Sequence, residues 1–173
     1  MHLEIHFAYL MLASDMQVVR RLPGLAHRLG VDAVVVSTLG TMVEPGFEAE
    51  AFMPQEGEKL ASAAAVLAEA SAEARRLDID FHWSLPRPDA AGKGCRENIA
   101  RSLYVAADGS VAPCVYLNVP VDGEYLDRPV FGNVNEMDPL DIWASSAFRS
   151  FRDGMAGGEA DQPCRTCPQR FMT

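Results

Sequence analysis

The sequence predicts an α/β fold in two parts, a strand–helix series over residues 1–86 and a smaller α+β region over residues 87–173. Three observations predict this organisation. Apolar blocks with strand periodicity alternate with two helix-length patterns in the first part. A short segment rich in Pro, Gly and Asp follows, and all four cysteines of the chain lie beyond it.

The first predicted strand and helix cover roughly the first thirty residues. Apolar residues at every second position of residues 3–9 predict a β-strand. Asp15 is placed to cap a helix whose apolar face continues until Gly30 ends it. Pro23 lies inside this pattern, so either the helix kinks at Pro23 or its regular part begins there.

Two further strands and a long helix complete the first part. Residues 32–37 contain an uninterrupted apolar run, which predicts a parallel strand covered on both faces. An Ala-rich helix is predicted over residues 59–77, and alternation over residues 79–83 predicts a third strand. The order βαβαβ predicts a parallel sheet, and three strands leave at least one of its edges open.

The second part has the pattern of a hairpin followed by a helix. Residues 87–94 have the composition of a linker. Strands are predicted over residues 102–105 and 111–115, with Gly109 in the turn between them at a position of positive φ. One helix is predicted over residues 138–154, capped by its first residue, an aspartate, and ended by its last, a glycine.

The composition argues against several partners. The net charge is −9, and Lys59 and Lys93 are the only lysines, whereas nucleic-acid binders concentrate basic residues on one face. No apolar run reaches the ~20 residues of a membrane helix. The first residues carry acidic side chains where a signal peptide carries basic ones, so we expect a cytoplasmic protein that binds neither nucleic acid nor membrane.

The four cysteines, Cys95, Cys114, Cys164 and Cys167, predict a metal centre. A reducing cytoplasm disfavours structural disulfides. Cys164 and Cys167 form a CxxC, and the predicted hairpin can return Cys114 to the neighbourhood of Cys95. Four thiolates complete either a [4Fe–4S] cluster or a tetrahedral zinc site. The wide spacing of Cys95 and Cys114 fits zinc poorly, so we expect the cluster, with zinc as the alternative.

In this region the sequence resembles the SPASM and twitch domains, which carry auxiliary iron–sulfur clusters in radical S-adenosylmethionine enzymes. Several features recur in the family's order: Cys95, the Gly-to-Pro-Cys segment over residues 109–114, Gly132-Asn133, Ile142-Trp143 and the closing CxxC. Thr173 stands where a full SPASM domain has its next cysteine, so the four-cysteine set is similar to the shorter twitch version, with a truncated SPASM domain as the alternative.

The resemblance has implications for fold and function. Residues 1–86 would be the last three βα units of a partial (β/α)6 TIM-like barrel, and residues 87–173 the SPASM/twitch domain. The cluster would serve electron transfer or substrate positioning during radical-mediated oxidation or peptide modification. The radical-forming CxxxCxxC is absent and is expected upstream of Met1, so we expect no activity from this chain alone. The alternative is a non-catalytic zinc-binding interaction module.

The resemblance also implies further sites and partners. Ser37, Thr38 and Gly40 follow the second predicted strand and would contact S-adenosylmethionine at the carboxyl ends of the barrel strands; an ordinary strand-to-helix loop is the alternative. The implied partners are the N-terminal radical half, a peptide or small-molecule substrate, and an electron donor such as flavodoxin or ferredoxin.

Three arginines lie close to the cysteines in sequence. Arg96 and Arg165 each follow a cysteine directly, and Arg170 lies shortly after the CxxC. Guanidinium groups near a negatively charged cluster raise its reduction potential, so we expect these side chains to tune it, unless they are ordinary solvated arginines.

Overall fold

The structure, a computed structural model, describes residues 3–39, 46–87, 95–118, 129–160 and 164–172. These residues form two compact units, the first ending near residue 88. Of the predicted linker, only Arg87 belongs to the described residues. Within these ranges, no helix combines the length and the apolar character needed to cross a membrane.

The first unit contains a parallel sheet of three strands. The strands are β1 (His6–Met11), β2 (Ala33–Thr38) and β3 (Asp80–Trp83), and they lie side by side in that order. Both strand pairs are parallel, as the βαβαβ pattern predicted. The described residues therefore have an α/β fold, and the partial barrel stays a prediction.

The helix before β2 begins later in the chain than the apolar pattern that predicted it. A 3-10 segment over Met16–Arg21 leads into helix α1 (Leu22–Leu29), with Pro23 in its first turn and Gly30 at φ 67° after its end. Of the two alternatives for Pro23, the one in which the regular part of the helix begins there is thus correct. Asp15 stands at the N-cap position of the 3-10 segment, but its side chain does not cap it, because its carboxylate accepts hydrogen bonds from the Tyr9 hydroxyl and the Leu12 amide instead.

Helix α2 (Gly57–Arg76) completes one hydrophobic core with α1. Both helices pack on the sheet face that carries Val34 and Val36. Val35, which points to the other face, is 38% exposed. For the described residues, the prediction that β2 is covered on both faces is therefore wrong, because the two helices lie on the same side.

The second unit contains a small antiparallel sheet. Its strands are β4 (Tyr104–Val105), β5 (Ser110–Ala112) and β6 (Gly132–Asn133), with β5 in the centre. The predicted hairpin is confirmed, and Gly109 has φ 85° in its turn. Strand β6 was missed, because two residues carry no readable periodicity.

Two helices replace the single helix predicted over residues 138–154. Helix α3 (Pro139–Ala144) is capped by Asp138 as expected, but Ser145 breaks the run and caps α4 (Ser146–Ala156). Gly154 lies inside α4, so the predicted end is wrong. Val111, Ile142 and Phe148 form the fully buried centre of this part of the second unit.

Candidate metal centre

Three segments of the second unit supply the four cysteines. Cys95 lies in a turn before β4, and Cys114 follows β5 by two residues, so the hairpin does return it. Cys164 and Cys167 lie in the short 3-10 turns at the end of the described chain. All four are free thiols; Cys164 is buried and the other three are half-buried.

Each cysteine is the first residue of a tight turn. In every case its carbonyl oxygen accepts a hydrogen bond from the backbone N–H three residues later. The pairs are Cys95 with Asn98 (2.8 Å), Cys114 with Leu117 (3.2 Å), Cys164 with Cys167 (3.2 Å) and Cys167 with Arg170 (3.1 Å). A turn of this kind curls the chain around the cysteine side chain and brings the intervening backbone amides towards the sulfur.

Backbone amides indeed donate hydrogen bonds to three of the four sulfurs. In each case one donor is the N–H two residues after the cysteine. The donors are Glu97 and Ile99 to Cys95, Tyr116 and Leu117 to Cys114, and Gln169 to Cys167. These bonds lower the thiol pKa values, and they stabilise negative charge on a sulfur. The prediction from sequence named the cysteines but missed these donors. The signal that could have identified them is their spacing, because one donor lies two residues after each of these cysteines.

The four sulfurs share one electrostatic environment. Burial is the main cause that raises the pKa of Cys164 to about 12 and of Cys167 to about 11. Burial likewise raises the pKa of Cys95 and Cys114. At Cys164, the other three thiols each raise the pKa further, because a charge on one disfavours a charge on the next. Without a metal, these sulfurs therefore keep their protons at neutral pH.

Hydrogen bonds and apolar packing hold the three segments together. The Arg96 amide donates to the Gln169 carbonyl at 3.0 Å, which ties the Cys95 turn to the C-terminal turns. Gln169 Nε2 donates to the Tyr116 hydroxyl at 3.4 Å, which ties the same turns to the segment after Cys114. Ile99 and Leu117 pack beside the thiols and, with side chains from α4, keep the sulfurs partly out of water.

The donor set fits an iron–sulfur cluster. Such clusters are held by cysteine thiolates, four for a [4Fe–4S], with hydrogen bonds to the sulfurs. Among the described residues, which include the four cysteines, no three His, Cys, Asp or Glu side chains come together closely enough to hold a metal ion.

The predicted arginines differ in their placement. Arg96 and Arg165, the two that directly follow a cysteine, are both exposed. Arg170 is only 8% exposed, and its charge acts on the thiols of Cys95 and Cys164. Distance along the chain therefore did not identify the arginine that lies against the cysteines.

The residues predicted to contact S-adenosylmethionine lie in the first unit. Ser37 and Thr38 form the carboxyl end of β2, where their side chains point to opposite faces of the sheet. Ser37 Oγ donates to the Tyr9 carbonyl at 3.5 Å, and Thr38 Oγ1 is buried without a hydrogen-bond partner among the described residues. Gly40 lies outside those residues. Contact with S-adenosylmethionine stays a prediction.

Comparison with known families bears on the second unit. Residues 95–168 match the model of the SPASM family, an iron–sulfur cluster-binding domain. The matched segment begins at Cys95 and contains all four cysteines. The match supports iron–sulfur cluster binding by this segment. No curated protein matches the chain significantly.

Proposed function

We propose that the chain binds a [4Fe–4S] cluster through Cys95, Cys114, Cys164 and Cys167, and that this is the auxiliary cluster of a radical S-adenosylmethionine enzyme. One observation carries the proposal. Four free thiols, each opening a tight turn, share one partly buried environment inside the segment that matches the SPASM family.

Several features of the site favour the binding of iron by these sulfurs. The thiols lose their protons when they become ligands, so cluster binding releases protons. The backbone amides at Cys95, Cys114 and Cys167 then stabilise the negative charge that remains on the sulfurs. Apolar neighbours, Ile99 and Leu117 among them, limit contact with water. When bound, the cluster supplies a one-electron redox centre.

The four-cysteine ligand set favours electron transfer as the role of the cluster. With all four positions filled by cysteine, no open position is left for a substrate atom. Radical-mediated oxidation or peptide modification is the reaction class proposed for the complete enzyme. On this proposal, the S-adenosylmethionine-cleaving CxxxCxxC comes from a radical half outside these 173 residues, because the four cysteines are already used. The substrate is then a peptide or small molecule, with a flavodoxin or ferredoxin as electron donor.

The parallel sheet of the first unit supports this wider role. Three parallel strands with both helices on one face are the arrangement of consecutive βα units in a barrel wall. Ser37 and Thr38 lie at the carboxyl end of the central strand, the end at which such folds bind ligands. Their proposed ligand is S-adenosylmethionine, bound together with the radical half.

Anaerobic reconstitution with iron and sulfide tests the cluster. We expect a brown protein that holds about four iron and four sulfide per chain, with the absorption of a [4Fe–4S] centre. Replacing any one of the cysteines by alanine removes a ligand, so the iron content should fall sharply. Ser150→Ala, an exposed change in α4, is the control and should retain the full iron content.

The outcome that overturns the proposal is equally specific. A colourless chain that holds one tightly bound zinc and no iron after reconstitution would establish the zinc alternative. Retention of the full cluster by Cys95→Ala would show that the ligand set is wrong.

A further inference from the structure

We propose that Arg170 is the counter-ion of the cluster, and that its buried charge raises the reduction potential of the cluster and helps to retain it. This inference rests on the proposed function. It replaces the prediction that the arginines next to the cysteines share this role, because only one of the three is buried against them.

Arg170 is the one charged residue that is buried among the described residues. Its side chain makes no ion pair with a carboxylate in that part of the chain, and its Nε is buried there without a hydrogen-bond partner. A guanidinium does not lose its proton in a protein, so it stays charged. A buried charge without an ion pair is costly, so an anion beside Arg170 would stabilise the fold.

The placement of Arg170 relates that charge to the thiols. The Arg170 amide donates to the Cys167 carbonyl at 3.1 Å, so the residue belongs to the turn that Cys167 opens. Its side chain lines a cavity of about 280 Å³ together with Cys95. No acidic residue lines this cavity. The Arg170 charge acts on the thiols of Cys95 and Cys164, and the Glu97 carboxylate acts on the Cys95 thiol in the opposite direction.

The proposed cluster would supply Arg170 with an opposite charge. A [4Fe–4S] core with four thiolates is negative when oxidised and gains one further negative charge when an electron arrives. Because a fixed positive charge favours the more negative state, Arg170 stabilises the reduced form and raises the potential.

The redox test compares two arginines. In the anaerobically reconstituted full chain, we expect Arg170→Gln to lower the ratio of reduced to oxidised cluster about tenfold at a fixed solution potential, which is ~59 mV for a one-electron couple. Arg170→Lys keeps the charge and should retain most of the potential. Arg165→Gln removes the same charge from an exposed position and should change the potential little. A redox titration followed by electron paramagnetic resonance measures all four proteins.

Equal potentials for Arg170→Gln and the unchanged chain overturn the inference, as do equal shifts for Arg170→Gln and Arg165→Gln. If the unchanged chain itself takes up no iron, the proposed function fails instead, so the two failures are distinguishable.

Loss of the cluster by Arg170→Gln but not by Arg170→Lys would itself support the inference, and loss by both would overturn it. A stability measurement provides a further test. Removing the charge with Arg170→Met should destabilise the cluster-bound chain, which loses a counter-ion. The same change should leave the cluster-free chain as stable as before or more stable, because it removes a buried charge that has no ion pair among the described residues. Denaturant unfolding of both forms gives the answer. A side chain that only fills space would lower stability equally with and without the cluster, and that result would overturn the inference.

Discussion

At each cysteine, burial and the backbone act on the sulfur in opposite directions. Burial keeps the metal-free thiols protonated, with the pKa of Cys164 raised to about 12. Backbone N–H groups, such as those of Glu97 at Cys95 and Tyr116 at Cys114, favour the charged sulfur. Bound iron would remove this opposition, because a ligating thiolate shares its charge with the metal. The metal-free thiols themselves are neutral, and backbone N–H groups already donate to three of them.

Gly109 fixes the turn that carries Cys114 back towards Cys95. At φ 85° a side chain is strained, and a Cβ there would collide with Asn133 Oδ1 and Asn135 Nδ2. Those two amides each donate to the Asp108 carbonyl at 3.0 Å, so moving them aside breaks further bonds. We expect Gly109→Ala to lower the free energy of unfolding by about 1–3 kcal/mol. Denaturant unfolding of the reconstituted chain measures the loss.

Gly57→Ala is the matched control for Gly109→Ala. Gly57 is the first residue of α2, and a Cβ there meets no atom within 4 Å. Its effect should stay within about 0.5 kcal/mol. If Gly57→Ala lowered the free energy of unfolding as much as Gly109→Ala, strain and collision in the hairpin turn would not explain the effect at Gly109.

The arginines show what sequence can and cannot predict about single residues. The four cysteines were identifiable because cysteine in a CxxC is chemically distinctive. Arg165 and Arg170 look alike in sequence, yet Arg165 is exposed, whereas Arg170 is buried and only 8% exposed. The difference arises from packing between segments far apart in the chain, since Arg170 lies against Cys95. No local pattern encodes such a contact.

At the scale of elements, the break between α3 and α4 is made by Ser145. Its hydroxyl accepts a hydrogen bond from the Phe148 amide at 3.3 Å and so begins α4. Phe148 is fully buried and its ring stacks on Phe131 with centroids 4.4 Å apart. Ser145→Ala should therefore lower the free energy of unfolding by about 1 kcal/mol, because the Phe148 amide loses its hydrogen bond to the Ser145 hydroxyl. Thermal or denaturant unfolding measures this cost.

The neighbouring Ser146→Ala provides the comparison for that prediction. Ser146 is exposed and opens α4 without capping it. This change should be close to neutral, because alanine is a good helix former. Equal losses at the two serines would mean that capping does not define the start of α4.

Elements were predictable where their pattern is local and long. The parallel strands and α2 follow from apolar periodicity over several residues, and their order fixes the sheet. The break at Ser145 was missed, because a helical apolar spacing continues across it in the sequence. Leu140 in α3 is 76% exposed, whereas Phe148 in α4 is fully buried.

For the whole molecule, the open face of the parallel sheet is the main departure from the sequence prediction. An apolar central strand is usually covered on both sides. In the described residues, however, α1 and α2 occupy one side only, and Leu10 and Val35 on the other are 50% and 38% exposed. Periodicity predicts that a strand is apolar but not which element covers it. A radical half that completes the barrel would supply the missing cover, which is why the proposed function needs a partner.

The open face also predicts how the isolated chain behaves. Exposed apolar side chains promote association between copies, and so do edge strands that pair with no further strand among the described residues. We therefore expect this chain to self-associate at micromolar concentrations when it is alone, as measured by light scattering. Val35→Lys places a charge in the centre of the open face and should shift the chain towards monomer. Leu29→Lys introduces the same charge at a more exposed apolar residue, at the end of α1, so it should leave association unchanged. A monodisperse monomer at every concentration would contradict the expectation, and equal effects of the two lysines would exclude the sheet face as its cause.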